Sequence, residues 1–129
     1  MGSPASGVSG AESEVLRVLW ELGRASVQAV CDALPPTRDI SYATVQTMLR
    51  RLEKKGYVSR ETVSKAHVFY PRIPRERVLG QEVGSFVRRL FGGDPLPLML
   101  HLARTEGLEQ KDIDRLRKLI DNARQRREE

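Results

Sequence analysis

The stretch SYATVQTMLRRLEKKG, residues 41–56, combines a helix start, an amphipathic pattern and a helix stop. Ser41 is a favoured N-cap residue, and Gly56 is the residue type most often found just beyond a helix C-terminus. Apolar residues recur between them at the spacing of one buried helix face: Val45, Met48, Leu49 and Leu52. The opposite face is polar and basic. The stretch therefore predicts a helix with one face against a core and the other face exposed.

Two short strands are predicted directly after this helix. Residues 57–60 and 66–70 are rich in aromatic and β-branched residues, and Pro71 closes the second strand. The intervening residues 61–65 contain no Gly or Asn, so we expect the tip of this hairpin to be loose.

Two shorter helices precede the central one. The first begins near Ala11 and ends at Gly23, and its apolar face consists of Val15, Leu16, Leu19 and Leu22. Ser26 is the predicted N-cap of the second, which ends at Pro35-Pro36 and carries Val27, Val30, Cys31 and Leu34. Three helices and a hairpin over residues 11–73 are typical of a winged helix-turn-helix domain. Residues 1–10 are small and polar, so we expect a disordered N-terminal arm there.

Residues 74–129 predict three further helices, which begin at Pro74, at Asp94-Pro95 and near Gln110. Three helices of this size bury little core by themselves, so we expect a dimerisation domain. A monomer whose C-terminal helices fold back on the first domain is the alternative. The predicted dimer interface consists of Val78, Leu79, Val83, Phe86, Val87, Leu90, Phe91, Leu98, Met99, Leu102, Ile113, Leu116 and Ile120.

The predicted fold class is therefore mainly α with a small β-hairpin. It combines a winged helix-turn-helix with a C-terminal three-helix dimerisation domain. The composition agrees with such a small regulator: the chain has 129 residues, a net charge of +5 and one cysteine. Its apolar runs are too short for a membrane helix, its N-terminus does not resemble a secretory signal, and Cys31 is expected to be a small core residue. We therefore expect a cytoplasmic protein.

The sequence offers little for catalysis. The two histidines, His67 and His101, fall in different predicted segments, and the sequence has no HExxH, CxxC, GxSxG or glycine-rich phosphate loop. We expect no enzyme activity, no cofactor and no metal site.

Basic residues concentrate in residues 50–65, where six basic side chains accompany two acidic ones. Such a cluster is the electrostatic signature of a surface that binds a polyanion. It lies beside the exposed face of the central helix, which has a suitable length for the major groove of B-DNA. The predicted DNA-binding residues are Ser41, Tyr42, Ala43, Thr44, Gln46, Thr47, Arg50, Arg51, Lys54, Lys55, Lys65 and His67.

The chemistry of these side chains suggests separate roles. Gln46 can pair with adenine, Thr47 can contact a base or a thymine methyl group, and Arg50 can contact either guanine or a phosphate. The helix N–H groups at Ser41 can bind a phosphate. Lys65 and the neighbouring hairpin residues can reach an adjacent groove or the backbone.

Two other functions remain open from the residues alone. The first is a winged-helix module that binds a protein rather than DNA and whose polar face is merely solvated. The second is a ligand-sensing regulator that holds a small molecule among Phe86, Phe91, Met99 and Leu102, although aromatic and methionine side chains at helical spacing usually pack together.

Several motifs in combination resemble the BlaI/MecI penicillinase-repressor family. They are EVLRVLW at residues 14–20, ISYATVQTMLRRL at 40–52, KKGYV at 54–58, and the segments 66–71, 81–83 and 90–93. The resemblance covers about residues 11–120. It implies a homodimeric repressor that binds a dyad-symmetric operator and commonly controls β-lactam resistance genes.

This chain matches some of the family's functional residues and differs from others. Ser41, Thr44 and Thr47 match the serine and threonine frame of the family's recognition helix, which implies the same docking mode. The family can carry basic residues where this chain has Ala43 and Gln46, which implies a different operator sequence. In the archetypes a membrane sensor-protease system relieves repression by cutting an Asn-Phe pair. The resemblance implies a regulatory protease as a partner, but His101-Leu102 occupy the place of the cleaved pair here, which argues against induction by proteolysis.

Overall fold

The computed structural model describes residues 7–128. This part of the chain forms six α-helices and one antiparallel hairpin. The helices are α1 (Gly10–Leu22), α2 (Val27–Ala33), α3 (Tyr42–Lys55), α4 (Arg75–Phe91), α5 (Leu96–Thr105) and α6 (Gln110–Glu128). The strands are β1 (Val58–Val63) and β2 (Ala66–Pro71), and a short 3₁₀ turn, Pro36–Arg38, precedes α3. This order confirms the predicted fold class.

The chain divides into two compact units, residues 1–83 and 84–129. The division falls inside α4, whereas the sequence places the boundary before this helix. The first turns of α4 belong to the first unit because Val78 packs into the core of that unit and is only 4% exposed. Val78, which the sequence assigns to a dimer interface, thus contributes to the core of the first unit in the single chain.

The core of the first unit is built from the apolar faces of its helices and the inner side of the hairpin. Val15, Leu19, Val30, Val45 and Leu49 are each at most 1% exposed. The helices begin and end much as their signals predict, since the Oγ atoms of the two predicted serine caps accept hydrogen bonds from the amides of the third helical residues. Gly56 closes α3 at φ 93°, a conformation that favours glycine.

The hairpin is tighter than predicted. Strands β1 and β2 pair from Val58–Pro71 to Val63–Ala66, so Ser64 and Lys65 alone form the turn. Both have positive φ values, 49° and 68°, as in a type I′ turn, whose backbone matches the twist of the paired strands. The prediction of a loose tip was wrong because strand pairing imposes this turn on residues that do not favour it.

The predicted N-terminal arm is only partly described, because residues 1–6 lie outside the described residues. The remainder of it is ordered, contrary to the prediction. The Ser9 hydroxyl accepts a hydrogen bond from the Glu12 amide at 3.1 Å, and the Glu12 carboxylate accepts one from the Ser9 amide at 2.8 Å. This capping box makes Gly10 the first residue of α1.

The second unit consists of the end of α4 with α5 and α6. Val87 is its buried apolar side chain, and no residue of α5 or α6 is buried within the described part of the unit. The rings of Phe86 and Phe91 contact each other with centroids 5.9 Å apart. Across residues 7–128, none of the helices is long and apolar enough to cross a membrane.

Candidate nucleic-acid interface

A concave groove of about 250 Å³ lies between α3 and the hairpin. Tyr42, Gln46 and Arg50 line it from α3, and Lys65 and His67 line it from the hairpin. The structure thus brings together five of the predicted DNA-binding residues from two separate segments.

The N-terminal end of α2 also contributes to this groove. Ser26 and Gln28 line it, although the sequence pattern gave no reason to select either residue for this surface. Gln28 is exposed, and its amide donates a hydrogen bond to Asp32 at 2.8 Å. Only the packing of α2 against α3 shows that these side chains face the same groove.

The first turns of α3 present a polar, exposed surface. Ser41 Oγ accepts a hydrogen bond from the Thr44 amide at 3.2 Å and lies 2.9 Å from the Thr44 hydroxyl. The Thr47 hydroxyl donates to the Ala43 carbonyl at 3.0 Å, which leaves its oxygen able to accept and its methyl group free for contact. Tyr42 is 50% exposed. This face therefore offers hydrogen-bonding groups and apolar groups together, as base recognition requires.

The hairpin is held against the helices on both sides. On one side, Arg60 Nε lies 3.3 Å from Glu53 Oε2 on α3. On the other side, the Ala25 and Phe69 backbones exchange two hydrogen bonds of 2.8 and 2.9 Å. These contacts keep the hairpin beside α3 in the position of a wing.

Arg24 makes a further contact with the same hairpin. Its guanidinium forms an ion pair with Glu61 on β1 and lies over the Tyr70 ring of β2, 5.5 Å from the ring centroid. No local signal in the sequence selects this residue, because Arg24 lies in the loop between α1 and α2, far from the hairpin in the chain.

The basic residues at the end of α3 differ in their surroundings. Arg50, Arg51 and Lys54 are exposed, and none of them pairs with an acidic group among the described residues. Lys55 instead turns inward. Its Nζ lies 2.6 Å from Glu12 Oε1 and 3.1 Å from the Gly7 carbonyl oxygen. Lys55 is therefore engaged within the domain, unlike the other predicted basic DNA contacts on α3.

Glu12 is the buried partner in this ion pair, with 1% of its surface exposed. Burial raises the pKa of its carboxyl group, but the hydrogen bond from Lys55 and the Ser9 amide outweigh that effect. The net pKa of Glu12 is therefore lowered, and the carboxylate stays charged at neutral pH.

The remaining predicted dimer residues stay accessible in the single chain, apart from Val78 and Val87. Most of them are more than a third exposed, and Leu90 reaches 65%. Their exposure leaves an extensive apolar surface on α4, α5 and α6. Met99 and Leu102 are 43% and 41% exposed, so they do not form an enclosed ligand site with the two phenylalanines in the single chain.

Cys31 packs against the core of the first unit, as the sequence predicts. Burial raises the pKa of its thiol, which keeps it protonated and poorly nucleophilic. No cluster of three or more His, Cys, Asp or Glu side chains that could hold a metal ion occurs within residues 7–128.

Comparison with known proteins places these features in one family. The penicillinase repressor family model matches residues 8–122. The penicillinase repressor of Bacillus licheniformis is 28% identical over 122 residues, which cover 95% of each chain. The methicillin resistance regulatory protein MecI of Mammaliicoccus sciuri is 27% identical over 114 residues, 88% of this chain and 93% of MecI.

A solved structure supports the assignment of the first unit. The DNA-binding domain of the repressor BlaI matches with a TM-score of 0.50 and 32% identity, over 57% of this chain and 90% of that domain. These similar proteins are repressors and regulatory proteins rather than enzymes, as expected for this chain. The family model covers most of the sequence, and the chain therefore belongs to the penicillinase repressor family.

Proposed function

We propose that the protein is a transcriptional repressor that binds a dyad-symmetric operator as a homodimer and thereby occludes a promoter. In this proposal α3 enters the major groove and the hairpin contacts the adjacent backbone. The proposal includes a cytoplasmic location, where a repressor of this kind would meet its operator.

The groove between α3 and the hairpin carries this proposal. It combines Gln46 and Arg50, which can read base edges, with Lys65 and His67, which can contact phosphates. Arg51 and Lys54 extend the unpaired positive charge along the exposed side of α3. The likeness to the BlaI DNA-binding domain supports the same use of this surface.

The second unit supports the dimeric form of the proposal. Helices α5 and α6 bury no side chain in the single chain, yet they carry Leu100, Leu102, Leu116 and Ile120, each between 39% and 49% exposed. Exposed apolar side chains concentrated in this way are typical of an interface. A second copy of the chain would cover it and would fix two recognition helices relative to each other.

Footprinting on genomic fragments selected by the full chain tests this proposal. We expect two protected half-sites related by a dyad, with centres separated by about 10 base pairs or a multiple of that spacing. The genes beside the selected fragments would identify the regulated promoters. A protein that selects no common sequence, or protects a single half-site, would contradict the proposal.

A further inference from the structure

We propose that an apolar cavity between α1 and the first turns of α4 binds a small amphipathic anion. The ligand class is an apolar body about the size of one aromatic ring that carries a single carboxylate or similar group. The cavity has a volume of about 250 Å³ and lies within the first unit. It shares no lining residue with the groove between α3 and the hairpin, so it is a second site, separate from the proposed DNA interface.

The floor and walls of this cavity are apolar. Leu16 and Val78 are almost fully buried, and Leu79 and Trp20 are partly exposed beside them. The Trp20 Nε1–H donates a hydrogen bond to the Ile73 carbonyl oxygen at 3.0 Å. Because this polar atom is already engaged, the indole offers only its apolar surface to a ligand.

The acidic groups around the cavity already have partners within the protein. The Glu14 carboxylate forms a two-point ion pair with Arg38, with distances of 2.7 and 2.9 Å. Glu82 Oε1 accepts a hydrogen bond from the Val8 amide at 3.3 Å. The charge of Glu14 is therefore balanced by a cation, whereas Glu82 is held by a backbone amide.

Two further polar side chains at the cavity are also engaged. The Ser13 hydroxyl donates to the Gly10 carbonyl oxygen at 2.8 Å, and Arg17 Nη1 lies 3.0 Å from Glu21 Oε1. Both interactions lie on the surface of α1, so these groups contribute little to ligand selection.

Arg75 is the basic side chain at the cavity that remains available to a ligand. It is the first residue of α4, it lines the cavity, and no acidic group among the described residues pairs with it. A guanidinium binds a carboxylate through two parallel charge-assisted hydrogen bonds. Glu82 also lines the cavity, seven residues further along α4, which is a rise of about 10 Å along the helix axis, so a carboxylate bound to the guanidinium need not contact it.

The cavity volume sets the size of the apolar part. An apolar cavity of about 150 Å³ accommodates benzene, so 250 Å³ accommodates one ring and a short side chain. A ligand of that size with its charge at Arg75 would rest its ring against Trp20 and Leu79.

Phenylacetate is the probe that tests this site, and Trp20 is the reporter because it is the chain's one tryptophan. Titration of the full-length protein without DNA should change the tryptophan fluorescence saturably, with a Kd of about 1 mM for so small a ligand. Phenylacetamide has the same shape without the charge, and it should bind about tenfold more weakly.

Two variants and a matched control complete the test. Arg75→Gln should weaken phenylacetate binding about tenfold, whereas Arg72→Gln, an exposed arginine outside the cavity, should not change it. Ser13→Phe should abolish the response by filling the cavity from its exposed rim.

Two results would overturn the proposal. The first is the absence of a saturable response. The second is equal binding of phenylacetate and phenylacetamide, unaffected by Arg75→Gln. Because the assay contains no DNA, its failure would leave the proposed operator binding untouched.

Discussion

Lys55 Nζ lies 2.6 Å from Glu12 Oε1, which joins the last turn of α3 to the first turn of α1. The same ammonium group binds the Gly7 carbonyl oxygen. A residue of the basic C-terminal end of α3 therefore connects that helix to α1 within the domain. Its neighbour Lys54 is exposed and has no acidic partner among the described residues.

Lys55→Ala should lower the free energy of unfolding by about 2–3 kcal/mol, because it leaves the Glu12 carboxylate buried without its cation. The expected loss is below the value for a fully buried pair, since the Lys55 side chain is 27% exposed. Urea denaturation measures it. Lys54→Ala is the matched control and should change stability by less than about 0.5 kcal/mol. Equal effects of the two substitutions would show that the ion pair contributes nothing.

The pH dependence of stability should follow the lowered pKa of Glu12. Because the folded-state pKa lies below the ordinary value of 4.5, the stabilisation is fully present above about pH 4.5 and is lost as the pH falls through the folded-state pKa. Glu12→Gln removes this titration. Denaturation of both proteins between neutral and acidic pH should therefore give curves that converge in acid, and a constant difference would rule out the assignment.

Gln46 and Lys54 should affect DNA binding in different ways. Gln46→Ala should cost about 1–3 kcal/mol on the selected operator and little on operators changed at the base pair that Gln46 reads. Lys54→Ala should weaken binding to all sequences alike and reduce the salt slope by about one. Anisotropy titrations on a set of single-base operator variants separate the two patterns. Parallel losses on every duplex would assign Gln46 to the DNA backbone.

Substitutions in the turn between β1 and β2 should distinguish the effect of this turn on stability from its effect on DNA binding. Ser64 and Lys65 adopt left-handed conformations that cost energy for residues with a side chain. Replacing either by glycine should raise the free energy of unfolding by about 0.5–1 kcal/mol.

Only Lys65→Gly removes a charge from the proposed interface, so it should weaken DNA binding and reduce the salt slope by about one, while Ser64→Gly should not. Thermal denaturation and anisotropy on both variants provide the comparison. Unchanged DNA affinity for Lys65→Gly would place the wing tip away from the duplex.

The exposed apolar face of α6 should be required for dimer formation. Leu116→Glu would place an unpaired carboxylate in that interface and should shift the protein to monomers in analytical ultracentrifugation. Operator affinity should fall by about 10²-fold or more, because the two half-sites are then bound independently. Gln125→Glu introduces the same charge on the opposite side of α6, nine residues from Leu116, and serves as the control. A dimer that survives Leu116→Glu would contradict the proposed interface.

The sequence predicts the helices of the first unit well because each carries local signals. Ser26 and Ser41 cap their helices as expected, and Gly56 ends α3. The capping box at Ser9 follows the same chemistry, but it lies in a stretch whose small residues suggested disorder.

The sequence is least informative where tertiary contacts decide the outcome. The turn at Ser64 and Lys65 adopts its conformation from strand pairing, although its residues do not favour it. Val78 follows the same apolar pattern as the rest of α4, and only packing shows that it belongs to the core of the first unit. Lys55 likewise resembles Lys54 in sequence, because its distant partner Glu12 leaves no local signal.

Fluorescence anisotropy with a selected genomic fragment and a scrambled duplex, over a series of salt concentrations, tests the central claim most directly. We predict that the full-length protein binds the selected fragment about 10³-fold or more tightly than the scrambled one, with a steep dependence on salt. Equal and weak binding to both duplexes would contradict the claim and would leave the groove between α3 and the hairpin as a surface for a protein partner.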